Sequence, residues 1–275
     1  MSEPGSHDAF WEFERDGWNR AAPLYETSWN DTLLFVESLL DAARVGVGTR
    51  LLDVACGPGY VSEAAAARGA DPVGLDVAPA MLERARARCP GGTFVEGDAQ
   101  ALPFAAESFD AVTMNFGVLH LSQPETAIAE ARRVLVPGGG YAFTAWVDEG
   151  NAQSGIVDAT VRAHAVPVTV PQGPDFYRFA DPDVCRQALE AAGFEAGSVR
   201  SETITARWRL PTAASLFQAE LHAGVRTTAV LAAQPPDRLD AIREAMTEGV
   251  RRYRDGDAFA LPIVARVTSA RAPGS

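Results

Sequence analysis

Four polar residues stand at the ends of apolar runs in the first half of this chain: Asp53, Asp76, Asp98 and Asn115. The run Leu51-Leu52-Asp53-Val54-Ala55-Cys56-Gly57-Pro58-Gly59 ends on an acid and passes at once into a glycine-rich turn. Gly57 and Gly59 carry no Cβ, so the main chain there can take positive φ and a ligand can approach it closely. A second run, from Pro72 to Asp76, ends in an acid able to accept hydrogen bonds from both hydroxyls of a ribose. A third, from Thr93, ends at Asp98-Ala99, and a fourth, from Phe109, ends at Asn115-Phe116. His120 follows in Gly117-Val118-Leu119-His120. An imidazole with an ordinary pKa of about 6.5 suits a general base near neutrality, and it equally suits the wall of a pocket.

The elements that bring these groups together are legible from the same stretches. After Gly59 comes an alanine-rich run of good helix formers, so the local order is strand, glycine turn, helix. The helix N-terminus then points at the ligand. Helices are expected over 59–68, 79–89 and 124–135, with a fifth strand over 141–146. Repeated strand–turn–helix units predict an α/β fold with a doubly wound parallel sheet, whose ligand sits at the carboxyl ends of the strands. A nicotinamide-type fingerprint would read G-x-G-x-x-G. Here Ser62 stands in the third glycine's place.

Taken in order, the segments Asp53–Gly59, Gly74–Leu82, Gly97–Phe104, Phe109–Val112 and Arg133–Gly139 resemble the class I S-adenosylmethionine-dependent methyltransferases. The nearest likeness is to the branch with the ubiquinone and menaquinone C-methyltransferases. It spans residues 45–147 and departs at Val77, where that branch commonly has serine. The resemblance implies a Rossmann-like seven-stranded sheet, S-adenosyl-L-methionine as cofactor and methyl transfer to a small-molecule acceptor with an oxygen, nitrogen or carbon nucleophile. It places Ala55, Gly57 and Gly59 along the methionine end of the cofactor, Asp53 at the motif's acidic position and Asp76 on the ribose. Val77 and Met81 then pack near the adenine, Asp98 and Ala99 meet its edge, and Asn115 and Phe116 line the opening towards the acceptor. Ala22-Pro23-Leu24-Tyr25 matches an element of the N-terminal arm in which the tyrosine faces the methyl group. No metal ligand set is implied. Asp98 and Asn115 can alternatively be turn residues bonding their own backbone.

The rest of the chain is less explicit. Residues 1–44 read as a helical arm, in two pieces separated near Pro23, with Phe10, Trp11, Phe13, Trp18, Leu24, Tyr25 and Trp29 on a charged background. The aromatics can line a site or simply pin the arm to the core. Residues 148–275 read as the remainder of the sheet: a helix over 152–165, another over 181–193, a strand from Val199 to Leu210, a helical insertion over 212–254 and a last strand from Ala260. That insertion is expected to cap the substrate pocket. His164, His222, Asp158, Arg178 and Arg226 are candidate substrate contacts within this part.

Composition narrows the function classes. A net charge of −12 over 275 residues argues against a nucleic-acid partner, whose phosphates demand a basic face. Three widely spaced cysteines, with no C-x-x-C pair, give neither a disulfide framework nor a zinc site. The polar N-terminus lacks a secretion signal, and no run approaches the roughly 18 apolar residues of a membrane span. The expectation is a cytoplasmic monomer or homodimer that does not engage a membrane. Two rivals to methyl transfer remain: a methyltransferase-fold protein that keeps the cofactor as scaffold for another reaction or only binds a ligand, and a nicotinamide-dependent oxidoreductase.

Overall fold

The computed structural model describes residues 9–28 and 31–274, so Trp29 and the polar N-terminal stretch through Asp8 lie outside the described residues. The chain runs α1 (Ala9–Ser28), a tight helical turn (Asp31–Phe35), α2 (Val36–Ala43), β1 (Arg50–Val54), α3 (Tyr60–Ala67), β2 (Asp71–Asp76), α4 (Pro79–Arg88), β3 (Thr93–Glu96) and β4 (Phe109–Met114). It continues through α5 (Pro124–Val134), β5 (Leu135–Trp146), α6 (Ala152–His164), α7 (Pro182–Ala191) and β6 (Arg200–Leu210). Last come α8 (Ser215–His222), α9 (Arg226–Ala232), α10 (Pro236–Arg251), β7 (Arg254–Asp255) and β8 (Ala258–Arg271).

The sheet order is β3-β2-β1-β4-β5-β8-β6. The pairs from β3 through β5 are parallel, and β8 runs antiparallel to both β5 and β6. An eighth strand, beyond the seven expected, is the two-residue β7, which pairs with the start of β8 across a turn holding Gly256 at φ 64°. Central strands of a parallel sheet are covered on both faces and read as continuous apolar runs. Leu51, Leu52 and Val54 of β1 and Ala111, Val112 and Met114 of β4 are accordingly buried. The winding reverses between β1 and β4, which is where an open α/β sheet leaves a crevice at its carboxyl edge.

One expectation fails in the arm. α1 does not break at Pro23 but continues to Ser28, and a separate helical turn starts at Asp31. A proline inside a helix forfeits one hydrogen bond and crowds the preceding turn. Tertiary contacts hold α1 together here. Ala21 and Ala22 are buried, and Asn19 Oδ1 accepts the Ala80 N–H (3.0 Å) in the first turn of α4. Glu26 bridges Arg84 and Arg88 on the same helix. α1 also lies so close to the α8–α9 turn that a Cβ on Gly17 would stand 2.3 Å from Val225 Cγ1.

Candidate active site

At the carboxyl edge of β1, β2 and β4 the structure encloses a cavity of ≈ 380 Å³. That lies within the range of small-ligand sites, about 300–1,000 Å³. Its floor is made by the strand ends: Ala55 and Gly57 after β1, Asp76 and Val77 after β2, Asp98 and Ala99 after β3, and Asn115 and Phe116 after β4. Tyr25 and Met81 complete that side, and His120 stands on the wall beyond. Two of the expected residues lie behind the wall. Asp53 is fully buried and accepts the Ser62 hydroxyl (2.7 Å), while Gly59 packs against Ala85, 3.1 Å from where its Cβ would be.

The two glycines of the turn therefore do different work. Both have positive φ, 53° at Gly57 and 85° at Gly59. A Cβ at Gly59 would be crowded against Ala85 of α4, whereas a Cβ at Gly57 would meet nothing within 4 Å. Gly57 leaves its space to the cavity. Its N–H donates to Asp76 Oδ2 (2.8 Å), and Ala78 N–H donates to Asp76 Oδ1 (2.9 Å). Burial pushes the Asp76 carboxyl up, and these backbone donors work against that shift. A carboxylate has about four lone-pair positions, so each oxygen keeps capacity for a further donor.

The floor is held by strained backbone. Ala55 and Phe116 both sit in the left-handed region, at φ 53° and 57°, which non-glycine residues rarely occupy. Gly117 fits between them only because it is glycine: a Cβ there would stand 2.6 Å from that of Ala55. Asn115 is bonded at both ends of its amide, accepting from Thr144 Oγ1 (2.7 Å) and donating to the Thr32 carbonyl (3.3 Å). Thr144 Oγ1 in turn accepts the Phe116 N–H (2.7 Å). Asp98 Oδ1 accepts the Gln100 N–H (2.8 Å), the turn geometry foreseen as its alternative role, and yet the residue also lines the cavity.

The opposite side comes from the arm and the later helices. Trp11, Glu14, Trp18 and Tyr25 lie three, four and seven residues apart, on one face of α1, and all line the cavity. Phe13 lies off that face and is not in the wall. Phe116 stacks on Trp146 with centroids 4.0 Å apart, and Trp18 and Phe176 meet the His120 ring edge-on at 4.8 and 5.8 Å. His120 Nδ1 lies 3.0 Å from Glu14 Oε2, and Arg226 Nε donates to Glu14 Oε1 (2.8 Å). Arg226 also donates to the Leu119 carbonyl (2.7 Å). Burial works to raise the Glu14 pKa, but His120 and Arg226 outweigh it and hold the carboxyl below its ordinary value. One buried acid thus clasps the arm, the turn after β4 and the start of α9.

Further along lie Asn151, Gln153, Ser154, Val157 and Asp158 from the region of α6, Tyr177, and Glu220 from α8. Glu220 is 5% exposed, and burial pushes its carboxyl up to about 7. Burial likewise carries the Tyr177 phenol up to about 12. Glu14, Gln153 and Glu220 were not found from sequence. Only the Trp11–Trp18 spacing could have pointed to Glu14, while Glu220 reads in sequence as a solvated helix charge. Of the candidate contacts, Asp158 and Arg226 line the cavity; His164, His222 and Arg178 do not, and Arg178 pairs with Glu125. Cys56 is buried in the glycine turn, where burial raises its thiol well above the ordinary value. Among the described residues, no cluster of three or more His, Cys, Asp or Glu side chains could hold a metal ion, and no helix is long and apolar enough to cross a membrane.

Residues 52–143, which run from the middle of β1 through most of β5 and hold the whole glycine turn, match the family described as a methyltransferase domain. That stretch, about a third of the chain, is similar to a methyltransferase domain. Among similar proteins, demethylmenaquinone methyltransferase of Renibacterium salmoninarum is 44% identical over 124 residues, 43% of this chain and 52% of that protein. The chain thus spans about half the length of the curated relatives it matches. Among solved structures, the cyclase SpnF superposes with a TM-score of 0.61 at 18% identity, covering 98% of each chain. Phosphoethanolamine N-methyltransferase 2 of Haemonchus contortus, in complex with phosphomonomethylethanolamine and S-adenosylhomocysteine, gives 0.57 at 17% identity, covering 97% of this chain and 61% of that one. Structural likeness at this identity speaks for the fold alone.

Proposed function

We propose that this protein transfers a methyl group from S-adenosyl-L-methionine to a small, largely apolar acceptor bound under the arm and the α8–α9 helices. The observation that carries the reading is the continuity of one cavity. It runs from the Gly57–Asp76 cradle and the Asp98–Ala99 edge to an aromatic chamber of Phe116, Trp146, Phe176 and Tyr177. The empty space beside Gly57 and the unused lone pairs of Asp76 suit a ligand that brings a diol to the end of β2.

The bound cofactor supplies an electrophilic methyl carbon on a sulfonium. In this reading Asp76 accepts from the ribose hydroxyls, Val77 and Met81 give the adenine an apolar bed, and Asp98 and Ala99 close its edge. Tyr25 and Phe116 shape the passage towards the acceptor. Asp53 acts from beneath, keeping the glycine turn in place through Ser62. The main demand on the protein is alignment of nucleophile and methyl group, which is catalysis by proximity. Trp11, Trp18 and the Glu14 clasp exclude water from the chamber, as closing segments commonly do.

Calorimetric titration with S-adenosylmethionine and S-adenosylhomocysteine tests the assignment. Both are expected to bind, while NADH is not. Asp76→Ala should weaken binding by about 1–3 kcal/mol, the loss of charge-assisted hydrogen bonds. Absence of binding in the parent protein, or an Asp76→Ala variant of unchanged affinity, overturns it.

A further inference from the structure

The far end of the chamber has a polarity of its own. Glu220, near the end of α8, and Gln153, in the first turn of α6, are 5% and 8% exposed and both line the cavity. Gln153 Nε2 donates to Glu220 Oε1 (3.3 Å), which fixes which way the amide faces. Gln153 Oε1 is then left buried with no hydrogen-bond partner. Thr227, at the start of α9, hydrogen-bonds the Glu220 carboxyl through its side chain and also lines the cavity, which leaves the carboxylate lone pairs for one further donor. The other titratable groups that act on or near the carboxyl are acidic or phenolic: Asp158 on α6, Asp31 in the turn before α2, and Tyr177. Arg226 on α9, a cation on the same wall, is committed to Glu14 and the Leu119 carbonyl. This end of the cavity offers acceptors and negative charge, and it asks for a donor.

We propose that Glu220 is the catalytic base of the methyl transfer, and that Glu220 and Gln153 Oε1 together select a neutral aromatic acceptor bearing an O–H or N–H donor. The inference rests on the function proposed above. The proton passes from the acceptor's O–H or N–H to a Glu220 carboxylate oxygen. The freed lone pair forms the new bond to the methyl carbon, and the sulfur keeps the electron pair of the bond that breaks. Glu220, now a neutral acid, returns the proton to solvent when product leaves. A base works best when its pKa lies near the operating pH, and burial beside Asp158 brings Glu220 there, up to about 7. His120 is the rival on the same wall. Its Nδ1 is engaged by Glu14, which suits it to positioning the arm.

The test uses 2-naphthol and its anionic counterpart 2-naphthoate as probes of the full chain. By calorimetry 2-naphthol should bind at least tenfold more tightly than 2-naphthoate, and Gln153→Leu should weaken 2-naphthol about tenfold, the worth of one hydrogen bond. Infrared difference spectra of parent against Glu220→Gln, without any ligand, should show a carboxyl that titrates near pH 7. With S-adenosylmethionine, Glu220→Gln should lower kcat for 2-naphthol about 100-fold with KM little changed, and the acid limb of the pH–rate profile should vanish. The variant removes a buried charge and should melt no lower than the parent at pH 8, so lost turnover will not reflect unfolding. Equal binding of naphthol and naphthoate overturns the acceptor class. No transfer to bound naphthol in the parent, or a variant with the parent's rate and pH profile, overturns the base. Failure of the protein to bind S-adenosylmethionine at all would instead strike the methyl-transfer reading, and the naphthol–naphthoate ratio and the infrared titration would still judge the donor-seeking site.

Discussion

The two ends of the cavity are built on opposite plans. The end over β1, β2 and β3 is made of backbone: glycine turns, strand termini and carboxylates whose oxygens are tied to main-chain N–H groups, as Asp76 is to Gly57 and Ala78. The end under α1, α6 and α8 is made of side chains from elements far apart in sequence, joined by Glu14–His120–Arg226 in one cluster and by Gln153–Glu220 in another. A backbone site is rigid and tolerates little variation. A side-chain site on packed helices can be rebuilt for a new ligand without disturbing the sheet. In the proposed reading the difference matches a constant methyl donor and an acceptor particular to this protein.

The sharpest way to break this division is to remove Glu14. Its carboxyl is 4% exposed and holds two cationic or potentially cationic partners, so Glu14→Ala leaves Arg226 partly buried without its anion. Removing one member of a buried pair costs about 3–5 kcal/mol. Here the loss should be local. Hydrogen exchange should quicken in α1 and α9 while β1, β2 and β4 keep their protection. Because the Glu14 pKa is depressed in the fold, the clasp contributes fully above the ordinary carboxylate range and fades as pH falls through the folded value. Uniform loss of protection across the sheet would show that the two ends are one cooperative unit.

How much of each end was legible in the sequence follows the same line. Strand ends and glycine turns obey local rules, so α3 begins directly after Gly59, α4 and α5 begin at their prolines, and eleven of the thirteen expected site residues line the cavity. Even so, local rules could not tell Gly57 from Gly59. Both needed positive φ, and only the packing of Ala85 shows which faces inward. At the side-chain end the rules fail. Pro23 reads as a helix break, and contacts with α4 overrule it. Glu220 in Ala219-Glu220-Leu221-His222 looks like a surface charge until α6 is laid against it. The paired strands β6 and β8 were expected, but the stub β7 carries no pattern of its own.

The ends can also be compared through their buried acids. Burial pushes Asp53 up to about 7 at the backbone end, Glu220 up to about 7 at the side-chain end, and Asp31 up to about 8 near Tyr25. Unfolded, such groups titrate near 4. Between pH 4 and 8 the folded chain therefore binds more protons than the unfolded one, and stability should fall as pH rises through that window. Denaturant unfolding at pH 6 and pH 9 should differ by about 1–3 kcal/mol for each such group. Asp53→Asn and Glu220→Gln should each flatten part of the slope. A slope unmoved by either would mean that these carboxyls relax towards water, and the contrast between the ends would lose its electrostatic part.

The finest distinction concerns Ser62. In sequence it is only the residue that spoils a third glycine, but in the fold its hydroxyl is the side-chain donor to Asp53 Oδ2, while Oδ1 is buried with no partner. Ser62→Ala would take the Ser62 hydroxyl donor away from a fully buried carboxyl, at a cost of about 1–2 kcal/mol. The carboxyl should then titrate still higher, since the lost hydrogen bond favours the charged form. Asp53 lies behind the cavity wall, so S-adenosylmethionine affinity at pH 6 should change less than in Asp76→Ala, while unfolding free energy falls. If affinity drops as far as stability does, the glycine turn transmits the disturbance, and the boundary between scaffold and site lies deeper than the cavity surface.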